Sequence, residues 1–68
     1  MEKGWQRIYS SDKPHLIEIA KTVLKENNIE SYVVDKRDST YITLGEMELY
    51  VKDDDVTLAE FLLKENQL

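Results

Sequence analysis

Cysteine is absent, histidine and proline occur once each, and glycine occurs twice in this 68-residue chain. Without cysteine no disulfide framework can form, and a single imidazole, His15, cannot complete a zinc finger or ribbon. Scarce glycine and proline exclude a collagen-like or low-complexity chain, and 41% hydrophobic residues fit a folded unit. Apolar residues run at most three together, whereas a membrane helix needs ~20. No basic stretch followed by an apolar one opens the chain, so the expected compartment is the cytoplasm. The length suits one domain spanning residues 1–68.

Positive charge is also short, with nine Lys/Arg against fourteen Asp/Glu. Residues 1–37 carry a net +1 and residues 38–68 a net −6, giving −5 overall. The acidic half would repel a phosphate backbone and no Lys/Arg cluster offsets it, which argues against nucleic acid and anionic membranes as partners.

The hydropathy pattern gives five elements. Trp5–Ser10 alternates and is rich in aromatics, which predicts a strand. Ser10, Ser11 and Asp12 offer helix caps, and Pro14 suits a first turn. Leu16, Ala20, Val23 and Leu24 then mark one apolar helix face, with Ile17 and Ile19 flanking it, and Asn27-Asn28 supplies a left-handed stop. Ile29–Val34 is β-branched and predicts a second strand, and Glu46–Val51 alternates as a third. Asp53-Asp54-Asp55 opens a last helix with apolar residues from Val56 to Leu63.

The order β-α-β-β-α and a right-handed crossover give an α+β, ferredoxin-like arrangement. Its three-stranded antiparallel sheet has strand order 1-3-2 and both helices on one face, leaving Trp5–Ser10 as an open edge. Strict alternation then aims Ile8, Ile29, Val33, Met47, Leu49 and Val51 at the helices. Trp5, Arg7, Tyr9, Tyr32, Val34, Glu48 and Tyr50 face away. Four of the six aromatics, Trp5, Tyr9, Tyr32 and Tyr50, therefore belong to a face no helix covers, the usual mark of an interaction surface.

No residue set carries recognisable chemistry. Asp53–Asp55 lacks the alternating oxygen ligands and turn glycine of a hard-cation loop, so no metal is expected, and carboxylates at a helix start serve capping. His15 beside Pro14 reads as solvated. Glu46 and Glu48 share a strand face and read as cross-strand partners of a neighbouring Lys or Arg rather than an acid–base pair. Neither glycine lies in a phosphate-cradling pattern, and Gly45 suits a turn or bulge, so no cofactor is expected. The segment 35–45 is longer than the usual ~2–5 residues of a hairpin connection. It either prolongs strand pairing or contacts a ligand through Lys36, Asp38, Ser39 and Tyr41.

Four strings carry a family resemblance: Arg7-Ile8-Tyr9-Ser10; Leu24-Lys25-Glu26-Asn27-Asn28-Ile29; Lys36-x-Asp38-Ser39-x-Tyr41; and Gly45-Glu46-Met47-Glu48-Leu49-Tyr50-Val51, the most specific. With them nearly the whole chain resembles a family of short bacterial domains named as putative signal-transducing proteins and otherwise of unknown function. Relatives commonly carry glycine where this chain has Asn28, and one extra residue precedes Pro14. The resemblance implies a ferredoxin-like fold similar to the PII-like nitrogen regulators, whose long loop also joins strands two and three, and by analogy a regulatory role. The basic and glycine-rich residues with which those regulators hold a nucleotide are missing here, so ATP and 2-oxoglutarate binding are not implied.

The expectation is a non-enzymatic, cytoplasmic interaction or regulatory module that binds a protein partner, or itself as a homo-oligomer, through the open sheet face and edge strand. The alternative is a small-metabolite sensor built on the 35–45 loop. The residues involved would be Trp5, Tyr9, Tyr32 and Tyr50 on the face, and Lys36, Asp38, Ser39, Tyr41 and Gly45 in the loop.

Overall fold

The computed structural model describes residues 4–36 and 46–68. Strand β1 (Trp5–Ser11) is followed by helix α1 (Pro14–Glu26), strand β2 (Ser31–Asp35) and strand β3 (Met47–Lys52). A short 3-10 turn over Asp53–Asp55 then leads into helix α2 (Val56–Glu65). The sheet order is β1-β3-β2, with β3 antiparallel to both neighbours. This is the expected ferredoxin-like α+β arrangement.

One layer of helix packs on one side of the sheet. The apolar stripe of α1 is Ile17, Ala20 and Leu24, spaced to fall on one side of a helix, and α2 adds Ala59 and Leu63. Ala20, Leu24, Ala59 and Leu63 meet Ile29, Leu49 and Val51 in one core, with Ile8, Tyr9, Val33, Val56, Leu62 and Leu68 at its margin. The thinnest dimension, 14 Å, matches a sheet with helices on a single face.

Both helices close on the same tetrapeptide, Leu-Lys-Glu-Asn, at 24–27 and 63–66. After α1, the Ile29 N–H donates to the Leu24 carbonyl and the Asn28 N–H to that of Lys25, a Schellman closure. After α2, Leu68 donates to Leu63 and Gln67 to Lys64 in the same pattern. The Asn27 and Asn66 side chains each donate to the carbonyl four residues back, Val23 and Leu62, both at 2.8 Å. Asn28 and Gln67 both take φ of 61°, which confirms the left-handed stop expected at Asn28. Because asparagine tolerates that conformation better than glutamine, Gln67→Gly is expected to raise stability by about 1 kcal/mol and Asn28→Gly by less. Paired urea titrations check both the sign and the order.

The helix starts differ from expectation. Lys13 is the N-terminal boundary of α1 and no side chain caps it; the Ser11 hydroxyl instead accepts from the Lys13 N–H at 3.0 Å. The three aspartates form the 3-10 turn rather than the first turn of α2, and none caps it through its side chain. Asp53 ties down the start of β1: its N–H donates to the Gly4 carbonyl and its carboxylate accepts from the Gln6 amide.

One orientation in β1 is reversed by a bulge. Arg7 pairs with Tyr50, but the next registered pair is Tyr9 with Leu49, so Ile8 is an inserted residue. From there on the alternation inverts. Tyr9 therefore packs with Ile8 against the core instead of joining the open face. The expected four-ring face has three rings.

Candidate functional site: the open sheet face

Opposite the helices, Trp5 from β1, Tyr32 from β2 and Tyr50 from β3 come together. The Trp5 and Tyr32 rings meet edge to face at 4.9 Å, and Tyr32 stacks on Tyr50 at 5.2 Å with planes 7° apart. The Tyr32–Tyr50 pair is fixed by register, since the two residues lie directly opposite one another. Tyr50 is only 8% exposed, whereas Trp5 and Tyr32 stay half-buried. The accessible part of the stack is thus Trp5 and Tyr32, with Tyr50 as their support.

Beside the rings sits a carboxylate that the sequence reading treated as an ordinary cross-strand partner. Glu48 occupies the middle of the central strand, with Ser10 on one side and Val34 on the other, and is 9% exposed. Its Oε1 accepts from the Tyr50 hydroxyl at 2.8 Å and from Lys36 Nζ at 3.1 Å, and its Oε2 accepts from Arg7 Nη1 at 3.0 Å. The expected Lys or Arg neighbour is real, but Glu48 is a buried hub rather than a solvated side chain. Its position was legible: the middle strand of a 1-3-2 sheet has donors available on both flanks. The Tyr50 hydrogen bond holds the Glu48 carboxyl below its ordinary range, burial opposes this, and Lys36 and Arg7 add to the lowering. Reciprocally, the hydrogen bond to Glu48 raises the Tyr50 phenol, aided by burial. Glu46, by contrast, is exposed.

A second ion pair borders the stack. Lys52 Nζ lies 2.7 Å from Glu30 Oε1 and 5.9 Å from the centre of the Trp5 ring. The pairing holds Glu30 below and Lys52 above their ordinary values. Two ion-pair groups thus flank the rings, Arg7 and Lys36 on Glu48 and Lys52 on Glu30.

Of the residues named from sequence, Trp5, Tyr32 and Tyr50 are therefore assembled, Lys36 joins them through Glu48, and Tyr9 does not. Asp38, Ser39, Tyr41 and Gly45 lie outside the described residues. Among the described residues, further apolar surface is on the helices, where Phe61, 57% exposed, and Leu58 lie three residues apart on α2, and Ile19 is exposed on α1. Among the described residues no helix is long and apolar enough to cross a membrane.

No curated protein matches the chain. A family model does, from residue 5, the tryptophan of the open face, through residue 67, the left-handed residue that closes α2, and so includes every side chain of the face just described. The chain belongs to the family described as putative prokaryotic signal transducing protein.

Proposed function

We propose that this chain is a non-enzymatic regulatory module that binds a protein partner through the open sheet face, with Trp5, Tyr32 and Arg7 as anchors. The observation that carries the reading is the half-buried Trp5–Tyr32 pair held rigid from below by Tyr50. Trp, Tyr and Arg are the side chains that most often dominate binding energy, and rings already fixed by stacking lose little freedom on docking. The face is poor acid–base machinery: its one buried carboxylate is kept ionised and occupied by three donors. The bulge at Ile8 interrupts β1, and a bulged edge resists strand addition. The face therefore carries this reading better than the β1 edge does.

Tyr32→Asp places a charge among the rings without removing the Tyr50 hydroxyl from Glu48. In capture from native cell extract, the wild-type chain is expected to retain a partner that Tyr32→Asp loses, with the circular dichroism of the two baits unchanged. Equal retention by both baits would contradict the reading. Tyr50→Asp is the poorer variant, because it removes a hydrogen bond to Glu48 and puts a second carboxylate beside it.

A further inference from the structure

We propose that two copies of this chain pair antiparallel through the outer edge of β2, about a two-fold axis at Val33. β2 is the terminal strand of the sheet order and, unlike β1, registers with β3 over five residues without a shift. The Lys36 N–H donates to the Glu46 carbonyl at 3.1 Å. Backbone groups alternate in direction along an antiparallel strand, so Val34 and Tyr32 also face β3, while those of Val33 and Ser31 face outward. Beside that edge a groove of about 570 Å³ runs between α1 and the start of β2, lined by Lys21, Lys25, Ile29 and Ser31 among others.

The sequence around Val33 is self-complementary in one register. Val33 opposes Val33 of the second copy once, on the axis, while Tyr32 opposes Val34 and Glu30 opposes Lys36, each of these two pairs occurring twice. Opposed residues of an antiparallel pair share a face, so both sets of helices stay on one side and the two sheets become a continuous six-stranded one. A shift of two residues either way sets Glu30 against Val34 or Lys36 against Tyr32, and a shift of six opposes like charges. Glu30 and Lys36 already hold Lys52 and Glu48, yet their side chains are 71% and 56% exposed, with a free carboxylate oxygen and free ammonium hydrogens. In this register the charges run without a break: Arg7, Glu48 and Lys36 of one copy, then Glu30 and Lys52 of the other.

The proposal concerns an edge rather than the aromatic face, and it stands or falls separately from partner binding. A single strand pair belongs among interfaces under ~1,200 Å², which are weak, so monomer is expected near about 10 μM and dimer near about 1 mM. Sedimentation across that range is the test. Glu30→Lys alone and Lys36→Glu alone are each expected to weaken self-association at least about tenfold, since each doubles a like-charge contact. An equimolar mixture of the two variants restores both ion pairs and should recover the dimer. In the unsubstituted chain, amide exchange at Ser31 and Val33 should slow with concentration while that at Tyr32 and Val34 does not change. A wild-type monomer at 1 mM, association undiminished in either single variant, or a mixture that stays monomeric would each overturn the proposal.

Discussion

Leu49→Ala is expected to cost this domain about 3–4 kcal/mol, a large share of its stability. Leu49 is fully buried at the centre of β3, between β1 and β2 and beneath both helices, so no flexible neighbour can collapse into the space it leaves. At roughly 0.05–0.15 kcal/mol per residue a native chain of this size has about 3–10 kcal/mol in all, so the loss is a large share of it. The variant should unfold at low urea or be largely unfolded at 37 °C, with the fully buried Leu24→Ala close behind. A midpoint within 1 kcal/mol of wild type, by the same titration, would show that the core is not organised around β3.

The second large effect belongs to the polar side of the sheet. Glu48→Ala leaves the Tyr50 hydroxyl buried without its acceptor and sets Arg7 and Lys36 around an empty site with like charges. The expected cost is about 2 kcal/mol, most of it from Tyr50 and Arg7 losing a charged acceptor. The pH dependence follows from the directions of the shifts. Glu48 titrates lower in the fold than in the unfolded chain, so the stability it contributes is complete above about pH 4.3 and is lost as pH falls through its folded value. Tyr50 titrates higher in the fold, so its contribution is complete below about pH 10 and is lost as pH rises through its folded value. Glu48→Gln should flatten the acid limb, leaving the part due to Glu30, and Tyr50→Phe should flatten the alkaline limb, leaving the part due to Lys52. Thermal midpoints across pH for the three proteins check both limbs; parallel curves would remove the hub from the explanation.

The parts of this fold that sequence reveals are those governed by local periodicity. Ala20 and Leu24 of the α1 stripe, the alternation of Met47, Leu49 and Val51, and the left-handed Asn28 all follow from the spacing or chemistry of residues within a turn or a strand. Ile17, expected only to flank the stripe, is nevertheless buried, while Leu16 and Val23 are half-buried. Strand order followed from crossover handedness. Tyr9 departs from strict alternation because alternation holds only while each residue has one partner, and β1 spends seven residues opposite six of β3. That mismatch is a property of the pair, invisible in either strand alone. The burial of Glu48 is hidden for a related reason: its donors come from residues 7, 36 and 50, on three different strands or their ends. The aspartates were read as caps because carboxylates favour helix starts, but the bond from the Asp53 N–H to Gly4 draws that turn toward β1.

Function was legible only as a surface. The uncovered face was deduced from where the helices must pack, while the division of labour within it, Trp5 and Tyr32 accessible and Tyr50 buried beneath, depends on ring geometry. Apart from the β2 edge proposed for a second copy, the described residues offer a protein partner this face and the apolar pair Leu58 and Phe61 on α2. The decisive measurement is a titration of the captured partner into the isotope-labelled chain, followed by amide and side-chain NMR shifts. Binding at the open face predicts that the largest shifts fall on the Trp5 indole, Arg7, Tyr32 and Glu48, with α1 and α2 little changed. Shifts confined to Ile19, Leu58 and Phe61 would place the partner on the helices and contradict it.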